Sequence, residues 1–272
     1  MTHYSTLHTH TDSGIHTILL NRPEKRNSLT PQLMDDLTHA LEAFAASQTC
    51  RVVILTGAGS SFCAGLDLDP LAPSHPHSTE EYHADAERIA NLLRTLYSLP
   101  KPSIAAVNGP AIAGGMGIAT LCDFTLAVPE AKFGYTEVRI GFVPAIVSAF
   151  LRTQLGEKSS RDLLLTGRLI SAAEAQSLGL VTRIIAEPDL LREARSLALR
   201  LMRNSPAAME ATKRLLGRFS DHHLPDDIEA AIRASVDARS NADFHEGVSA
   251  FLEKREPQWP SAHNPLKEPV PS

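Results

Sequence analysis

Residues 106–124 read AVNGPAIAGGMGIATLCDF, a glycine-rich stretch that joins the apolar run SIAAV (103–107) to the apolar run FTLAV (124–128). A second glycine-rich segment, TGAGSSFCAGLDL (56–68), follows the apolar run RVVIL (51–55). Glycine at this density is typical of a backbone that passes close to another group. The sequence therefore predicts two buried strands, each followed by a loop whose backbone approaches a partner.

Short apolar runs alternate with helical patterns through the first part of the chain. HTILL (16–20) and RVVIL are typical of buried strands. Thr30 precedes Pro31 at the start of an amphipathic pattern, which indicates a capped helix with proline at its first position. A second helical pattern covers residues 80–99. This alternation is typical of an α/β fold.

The second part of the chain is almost wholly helical in its pattern after Asp189. One helix is expected to start at Pro206 and to end at Gly217, because glycine commonly terminates helices. Two more are expected over residues 226–239 and 241–255. The resulting division is an α/β core (1–195), a helical region (196–260) and a proline-rich, frayed tail (261–272).

Composition excludes several classes of function. The net charge is -5 and aromatic residues make up 5% of the 272 positions, which argues against a nucleic-acid-binding protein. No apolar run is long enough for a transmembrane helix, and the N-terminus has no secretory pattern. Three widely spaced cysteines fit a reducing compartment, so we expect a cytoplasmic protein with no membrane partner.

Neither glycine-rich loop carries a standard nucleotide-binding motif. Phe62 stands where the last glycine of a dinucleotide fingerprint belongs, and no lysine follows Gly114 or Gly115 as a phosphate-binding loop requires. Turn formation alone is one explanation for both segments. The other is that each loop directs one backbone amide at a single oxygen atom, which forms an oxyanion hole.

Six segments together resemble the enoyl-CoA hydratase/isomerase (crotonase) family, in order and over nearly the whole chain. They are NRPEKRNSL (21–29), FCAGLDL (62–68), NGPAIAGGMG (108–117), FGYTEVRIGFVPA (133–145), LLLTGRLISAAEAQSLGLV (163–181) and EGVSAFLEKR (246–255). The resemblance implies a spiral of ββα units with a C-terminal helical region that forms trimers, or dimers of trimers. It also implies an acyl-CoA substrate whose thioester oxygen accepts hydrogen bonds from the amides of Leu66 and Gly114. Coenzyme A would then be part of the substrate, with no tightly bound cofactor.

Hydratases of that family typically use two glutamates, one at the end of the glycine-rich motif and one about twenty residues later. The first position is Gly117 here, whereas the second is Glu137. Apolar neighbours are expected to raise the pKa of Glu137. One carboxylate suffices to shift a C=C bond, so hydration of a 2-enoyl-CoA and Δ3–Δ2 isomerisation both remain open. Thioester hydrolysis, retro-aldol cleavage and non-catalytic CoA binding are further alternatives in fatty acid metabolism or related pathways.

The resemblance also implies where CoA binds. Arg22 and Lys25 belong to a basic loop that would contact the nucleotide end. Phe251 and Lys254 would reach CoA of the same or a neighbouring subunit. The segment around the first amide donor contributes the remaining expected contacts, which are Ala64, Leu66, Asp67 and Leu68. Asp67 also has a simpler interpretation, in which its carboxylate shapes the loop through local hydrogen bonds.

Other titratable residues are assigned to ordinary roles. His75, His77 and His83 lack the spacing of a metal site, so no metal is expected and the loop that carries them is assigned to substrate entry. Cys63 has no histidine placed to activate it and is expected to be packed in the interior. Asp123 is expected to anchor the start of the FTLAV strand.

Overall fold

The structure is a computed structural model that describes residues 4–72, 74, 77–220 and 223–262. Its strands are β1 (Leu7–Asp12), β2 (Ile15–Leu20), β3 (Val52–Gly57), β4 (Ser103–Val107), β5 (Ala111–Ile112), β6 (Phe124–Ala127), β7 (Lys132–Gly134), β8 (Ile170–Ser171) and β9 (Arg183–Ile184). Its α-helices are α1 (Pro31–Ala46), α2 (Thr79–Tyr97), α3 (Gly114–Leu121), α4 (Ala145–Thr166), α5 (Ala172–Ser177), α6 (Leu190–Leu201), α7 (Pro206–Ser220), α8 (Leu224–Arg239) and α9 (Ala242–Glu253). The α/β architecture with C-terminal helices is confirmed.

A six-stranded sheet in the order β1-β2-β3-β4-β6-β9 forms the main layer. Its pairs are parallel except for the antiparallel hairpin of β1 and β2. Every residue of β3 and β4 is buried, as expected for central strands covered on both faces. A second sheet of three short strands, in the order β5-β7-β8, carries the glycine-rich segment at one edge.

The helices are capped by side chains at their starts and pack on the main sheet or on each other. The Thr30 hydroxyl accepts a hydrogen bond from the amide of Leu33, which caps α1 as predicted. Ser78 and Glu81 form a complete capping box at the start of α2. Helix α6 packs on β3, β4 and β6 of the main sheet, whereas α8 packs against α2 and α4. The last packing brings α8 to a cavity that the glycine-rich loops also line.

Asp123 anchors the edge of the main sheet, as its position before the FTLAV strand predicted. Its carboxylate accepts hydrogen bonds from the amide and the hydroxyl of Ser103, at 2.8 and 2.9 Å. Lys213 of α7 lies 2.5 Å from the same carboxylate. A single side chain therefore joins β4, β6 and the C-terminal helices.

Several local predictions need correction. Helix α7 continues past Gly217 to Ser220, because a single glycine inside a packed helix costs only about 1 kcal/mol. Strand β1 and helix α4 were not predicted at all. Helix α4 contains Gly156 at φ +72°, a break that obscures its periodicity in the sequence.

Some predictions stay untested. The division at residue 195 stays a prediction, and α6 runs continuously across that position. The trimeric assembly likewise stays a prediction. Of the frayed tail, residues 263–272 lie outside the described residues. In the part of the chain that the structure describes, no helix is long and apolar enough to cross a membrane.

Candidate active site

The first loop of the site follows β3 and lies between two neighbouring segments. The side-chain amide of Asn27 donates to the carbonyl oxygens of Ala58 and Ser61, at 3.0 and 2.8 Å. These two hydrogen bonds fix the first half of the loop. The amide of Leu29 donates to the carbonyl of Gly65 at 2.7 Å. Gly65 has φ +85°, a conformation that favours glycine. The chain therefore turns sharply just before Leu66.

The second loop runs from β5 into α3. The amide of Ala113 donates to the carbonyl of Gly134 in β7, at 2.8 Å. Ala113 has φ +52° and ψ −124°, a conformation that costs an L-residue on the order of 1–3 kcal/mol. This strained residue directly precedes Gly114, the first residue of α3. The hydrogen bond to Gly134 helps to hold Ala113 in this conformation, immediately before the Gly114 amide.

The two loops touch through their backbones. The amide of Ile112 donates to the carbonyl of Cys63 at 2.9 Å, and a Cβ atom built on Gly115 would lie 2.3 Å from that same carbonyl oxygen. A Cβ atom on Gly65 would lie 2.9 Å from the Cβ of Ala113. The glycines of both segments are therefore needed because the chain segments are in contact, and turn formation alone does not explain them.

Leu66 and Gly114, the two predicted amide donors, line one cavity. Neither amide donates to a backbone acceptor within the described ranges 4–72, 74, 77–220 and 223–262. An unpaired N–H group at the wall of a cavity is available to an oxygen of a ligand. The structure thus brings together the two loops that the sequence predicted to converge.

Glu137 reaches the same cavity from a third element. It begins a 3-10 helix, Glu137–Ile140, shortly after β7. Helix α9 packs tightly on this short helix, since a Cβ atom on Gly247 would lie 2.3 Å from the carbonyl oxygen of Ile140. Gly141, at φ +66°, then turns the chain against Asp243. The C-terminal helix thereby fixes the position of the carboxylate.

Burial changes the chemistry of Glu137. The residue is 9% exposed, and its Oε2 has no hydrogen-bond partner among the described residues. Loss of hydration disfavours the charged form and raises the pKa to about 7, whereas a hydrogen bond from its own backbone amide acts in the opposite direction. The expected rise in pKa is confirmed. A carboxylate with this pKa exchanges protons readily near neutral pH.

The cavity has a volume of about 300 Å³ and a mostly apolar wall. Sequence reasoning missed its polar residues on α2 and α8, which are Asp85, Ser235 and Arg239. Arg239 is 2% exposed and its Nη1 donates to Asp85 at 3.3 Å. Nothing in the local sequence distinguishes these residues from surface positions of amphipathic helices. Only the packing of α8 on α2 brings them to the cavity.

Gly117 stands where the resemblance places a second glutamate. A Cβ atom there would lie 3.0 Å from Cγ1 of Val147 and 3.7 Å from Cδ1 of Leu93. Apolar side chains therefore surround this position. Among the described residues that line the cavity, the carboxylates are Glu137 and Asp85. Asp85 is paired with Arg239 and with Arg88, so Glu137 is the carboxylate whose Oε2 is left unpaired.

The expected CoA contacts occupy different environments. Lys25 is half-exposed and its Nζ lies 2.7 Å from Asp69. Arg22 pairs with Asp67 at 3.2 Å and also donates to the carbonyl of Ser28 at 2.6 Å. Both groups are largely buried, so Asp67 and Arg22 shape the first loop. This arrangement supports the simpler interpretation of Asp67.

Four further expected contacts lie at or near the cavity. Ala64 and Leu68 line it together with Leu66. Phe251 of α9 also lines the cavity, although the side chain is 58% exposed. Lys254 ends α9 at φ +56°, outside the cavity wall. Their contact with CoA stays a prediction.

The remaining titratable residues are placed as follows. Cys63 is fully buried, and burial raises the pKa of its thiol to about 12, which leaves it packed and unreactive at neutral pH. The Nε2–H group of His77 donates a hydrogen bond to the carbonyl of Pro70. His83 is exposed, and His75 lies outside the described residues. No group of three metal-ligating side chains occurs among the residues that the structure describes.

Comparison with known proteins gives consistent matches over most of the chain. The enoyl-CoA hydratase/isomerase family model matches residues 10–262. The chain is 43% identical to a candidate enoyl-CoA hydratase of Thermus thermophilus, over 89% of this chain and 96% of that protein. It is 33% identical to the 2,3-dehydroadipyl-CoA hydratase of Escherichia coli, over 89% and 93% of the two chains. A solved enoyl-CoA hydratase/isomerase of Xanthobacter autotrophicus superposes with a TM-score of 0.86 at 28% identity, over 93% and 98%.

The buried carboxylate predicts a pH-dependent stability change in the variant Glu137→Gln. A folded-state pKa of about 7 exceeds the unfolded value of 4.5, so the wild type loses stability as pH rises from 4.5 through 7. Glutamine carries no charge and escapes this loss. We expect the variant to exceed the wild type in free energy of unfolding by on the order of 2 kcal/mol at pH 8, with the gain vanishing near pH 4.5. Urea unfolding at both pH values measures it, and an equal difference at both would contradict the burial of this carboxylate.

Proposed function

The chain belongs to the enoyl-CoA hydratase/isomerase family, and from that premise we propose that it shifts the C=C bond of an enoyl-CoA through an enolate. The thioester oxygen accepts hydrogen bonds from the amides of Leu66 and Gly114. Glu137 moves the proton. Coenzyme A enters and leaves as part of the substrate, and no tightly bound cofactor takes part.

One observation carries this proposal: a buried carboxylate with an unpaired oxygen lines the same small cavity as two unpaired backbone amides. Two donors aimed at one oxygen stabilise the negative charge that develops on it, and one such donor is worth about 100- to 1000-fold in rate. A carboxylate with a pKa of about 7 is matched to proton transfer at neutral pH. These groups meet the two requirements for removing a proton next to a thioester.

The reaction needs two proton transfers and no other reagent. In a 3-enoyl-CoA, Glu137 takes a proton from C2, and the electron pair of the C–H bond passes through C1 to the thioester oxygen. The resulting dienolate holds its charge between the two amides. Glu137 then returns the proton to C4, and the double bond moves to C2=C3. Atoms and charge balance, and the enzyme returns to its starting state.

Isomerisation is favoured over hydration because the cavity offers one unpaired carboxylate. Hydration by two acids needs a second carboxylate to orient the water, and position 117 is a glycine facing Val147 and Leu93. The apolar wall also limits the room for water near the reacting carbons. Isomerisation by a single base, which serves both C2 and C4, needs neither a second carboxylate nor a bound water molecule.

Hydration of a 2-enoyl-CoA is the second candidate. It is favoured by the similarity to hydratases, among them the 2,3-dehydroadipyl-CoA hydratase of Escherichia coli that is 33% identical. Another relative in the same organism, 32% identical over 92% of this chain, is a 1,2-epoxyphenylacetyl-CoA isomerase. Both reactions share the enolate and the two amides, so product analysis separates them.

We further propose how the protein binds CoA and assembles. Arg26 lines the cavity, and Lys25 is its neighbour in the chain. These two residues supply cations for the phosphates of CoA at the opening of the cavity. Phe251 and Lys254 of α9 are proposed contacts at the same rim.

Exposed apolar side chains on α7, which include Leu215 and Phe219, support a homotrimer. Free cysteines support a cytoplasmic location, with fatty acid metabolism as the setting.

Glu137→Gln is expected to lower kcat at least 1000-fold while the Kd for a non-reacting acyl-CoA changes less than threefold, since glutamine is isosteric but cannot accept the proton. In the wild type, kcat/KM is expected to rise with pH through about 7, because the base must be ionised. Steady-state kinetics and calorimetric titration measure these quantities.

Glu130→Gln is the matched control, because Glu130 is exposed and lies outside the cavity. It should leave both kcat and the pH profile unchanged. Full activity in Glu137→Gln would exclude this carboxylate as the base and with it the proposed mechanism.

Product analysis with 3-enoyl- and 2-enoyl-CoA tests isomerisation against hydration. We expect the wild type to interconvert the two without a change of mass. Gly117→Glu combined with Val147→Ala, which makes room for the longer side chain, should add water to the 2-enoyl-CoA and raise the hydrated fraction at least tenfold.

Gly117→Gln with Val147→Ala is the control, since it has the same bulk without the acid. Mass spectrometry of the products decides. A wild type that already hydrates efficiently would favour the second candidate, and a hydrated fraction that Gly117→Glu does not change would contradict the role assigned to position 117.

A further inference from the structure

An ion-pair network crosses three helices next to the cavity, from the buried Arg239 to the exposed Asp35. Arg239 of α8 pairs with Asp85 of α2 at 3.3 Å, and Asp85 also pairs with Arg88 at 3.1 Å. Arg88 in turn lies 3.2 Å from Asp35 of α1. Two cations and two carboxylates therefore compensate each other in charge. Of the four, Asp85 and Arg239 line the cavity.

The guanidinium of Arg239 has more donors than the acceptors found around it among the described residues. It carries five N–H donors, and the hydrogen bond from Nη1 to Asp85 uses one of them. The whole side chain is only 2% exposed, and its Nε is buried with no acceptor among the described residues. The rings of Tyr82 and Phe142 lie 5.4 Å from its centre and offer π-faces, which do not replace acceptors. Burial of this one unpaired donor is costly, and because Arg239 lines the cavity, the cost points to an occupant of the cavity that supplies an acceptor to the guanidinium.

Ser235 adds a second polar group on the same wall. It lies four residues before Arg239 on α8, so the two side chains share one face of the helix. Ser235 is 3% exposed and lines the same cavity. A cavity built only for a hydrocarbon chain would carry apolar residues at both positions.

The geometry points to a specificity-determining role for Arg239, an inference that rests on the proposed function. The acyl chain of the thioester held at the two amides carries a neutral oxygen, such as that of a hydroxyl group. This oxygen accepts a hydrogen bond from Arg239. Asp85 beside it can accept a hydrogen bond from the same hydroxyl. The substrate class is then an enoyl-CoA with a polar, uncharged group on its acyl chain.

Charge favours a neutral oxygen over a carboxylate. The positive charge of Arg239 is already balanced by Asp85, so hydrogen bonding is what remains unsatisfied. A substrate carboxylate at this place would face the carboxylate of Asp85 and would lose its hydration in an apolar cavity. A hydroxyl group matches a donor and an acceptor that lie side by side.

The first test compares three enoyl-CoA thioesters of equal chain length that end in a methyl, a hydroxyl or a carboxylate group. Chain length is varied in parallel so that one member of each series places its end group at Arg239. For the best length, we expect the wild type to favour the hydroxyl over the methyl by about 10- to 100-fold in kcat/KM, mainly through a lower KM.

The second test uses Arg239→Met, which keeps the length of the side chain and removes the donors, while Asp85 retains Arg88 as its partner. The ratio of kcat/KM for hydroxyl over methyl should fall at least tenfold. Arg233→Met is the matched control on the same helix, because Arg233 is exposed and pairs only with Glu229 among the described residues. It should leave the ratio unchanged. A purely structural role for Arg239 would lower activity on both substrates equally.

Each outcome separates this inference from the function on which it rests. Turnover of all three series with no preference, or with a preference for methyl, overturns the role of Arg239 and leaves the proposed function intact. A preference for the carboxylate overturns the choice of a neutral group. No turnover and no exchange of the C2 proton in deuterium oxide, with any thioester, overturns the proposed function and this inference with it.

Discussion

The contact between the backbone at Gly115 and the carbonyl of Cys63 is the constraint on which the rest of the site depends. It holds the loop after β3 against the start of α3, through the hydrogen bond from Ile112 to Cys63 and a separation that leaves no room for a Cβ atom. This contact holds both loops together, and Leu66 and Gly114, one from each loop, line the same cavity. Ala113, which directly precedes Gly114, has a strained backbone conformation that the surrounding structure must impose.

The apolar cavity has two effects on the chemistry. It removes water from Glu137 and so raises the pKa of that carboxyl to about 7, a value suited to the proton transfers that we propose. It also lowers the local dielectric, and in the proposed mechanism the two amide dipoles would therefore stabilise a negative oxygen more strongly than they would in water. The same burial that costs stability thus prepares the site for proton transfer. Helix α9 maintains it by packing on the short helix that begins at Glu137.

The sequence predicted those parts of the site that depend on local patterns. It predicted the alternation of strands, loops and helices, the capping of α1 at Thr30 and the glycine-rich loops. It also predicted the apolar environment that raises the pKa of Glu137. The short strands β5, β7 and β8 escaped prediction, since two or three residues carry no periodicity. Arg239 and Asp85 lie far apart in the chain, and only the packing of α8 on α2 joins them. Long-range packing of this kind leaves no signal in a single amphipathic helix.

The most direct test of the two-amide site is the infrared difference spectrum of a bound acyl-CoA labelled with carbon-13 at the thioester carbonyl. Two hydrogen bonds to the oxygen weaken the C=O bond, so the band should move to lower wavenumber than in water. In Gly115→Ala, whose added Cβ atom must push the loop of Cys63 away, the band should return towards its position in water. A wild-type band at the position found in water would contradict convergence of the amides of Leu66 and Gly114 on one oxygen.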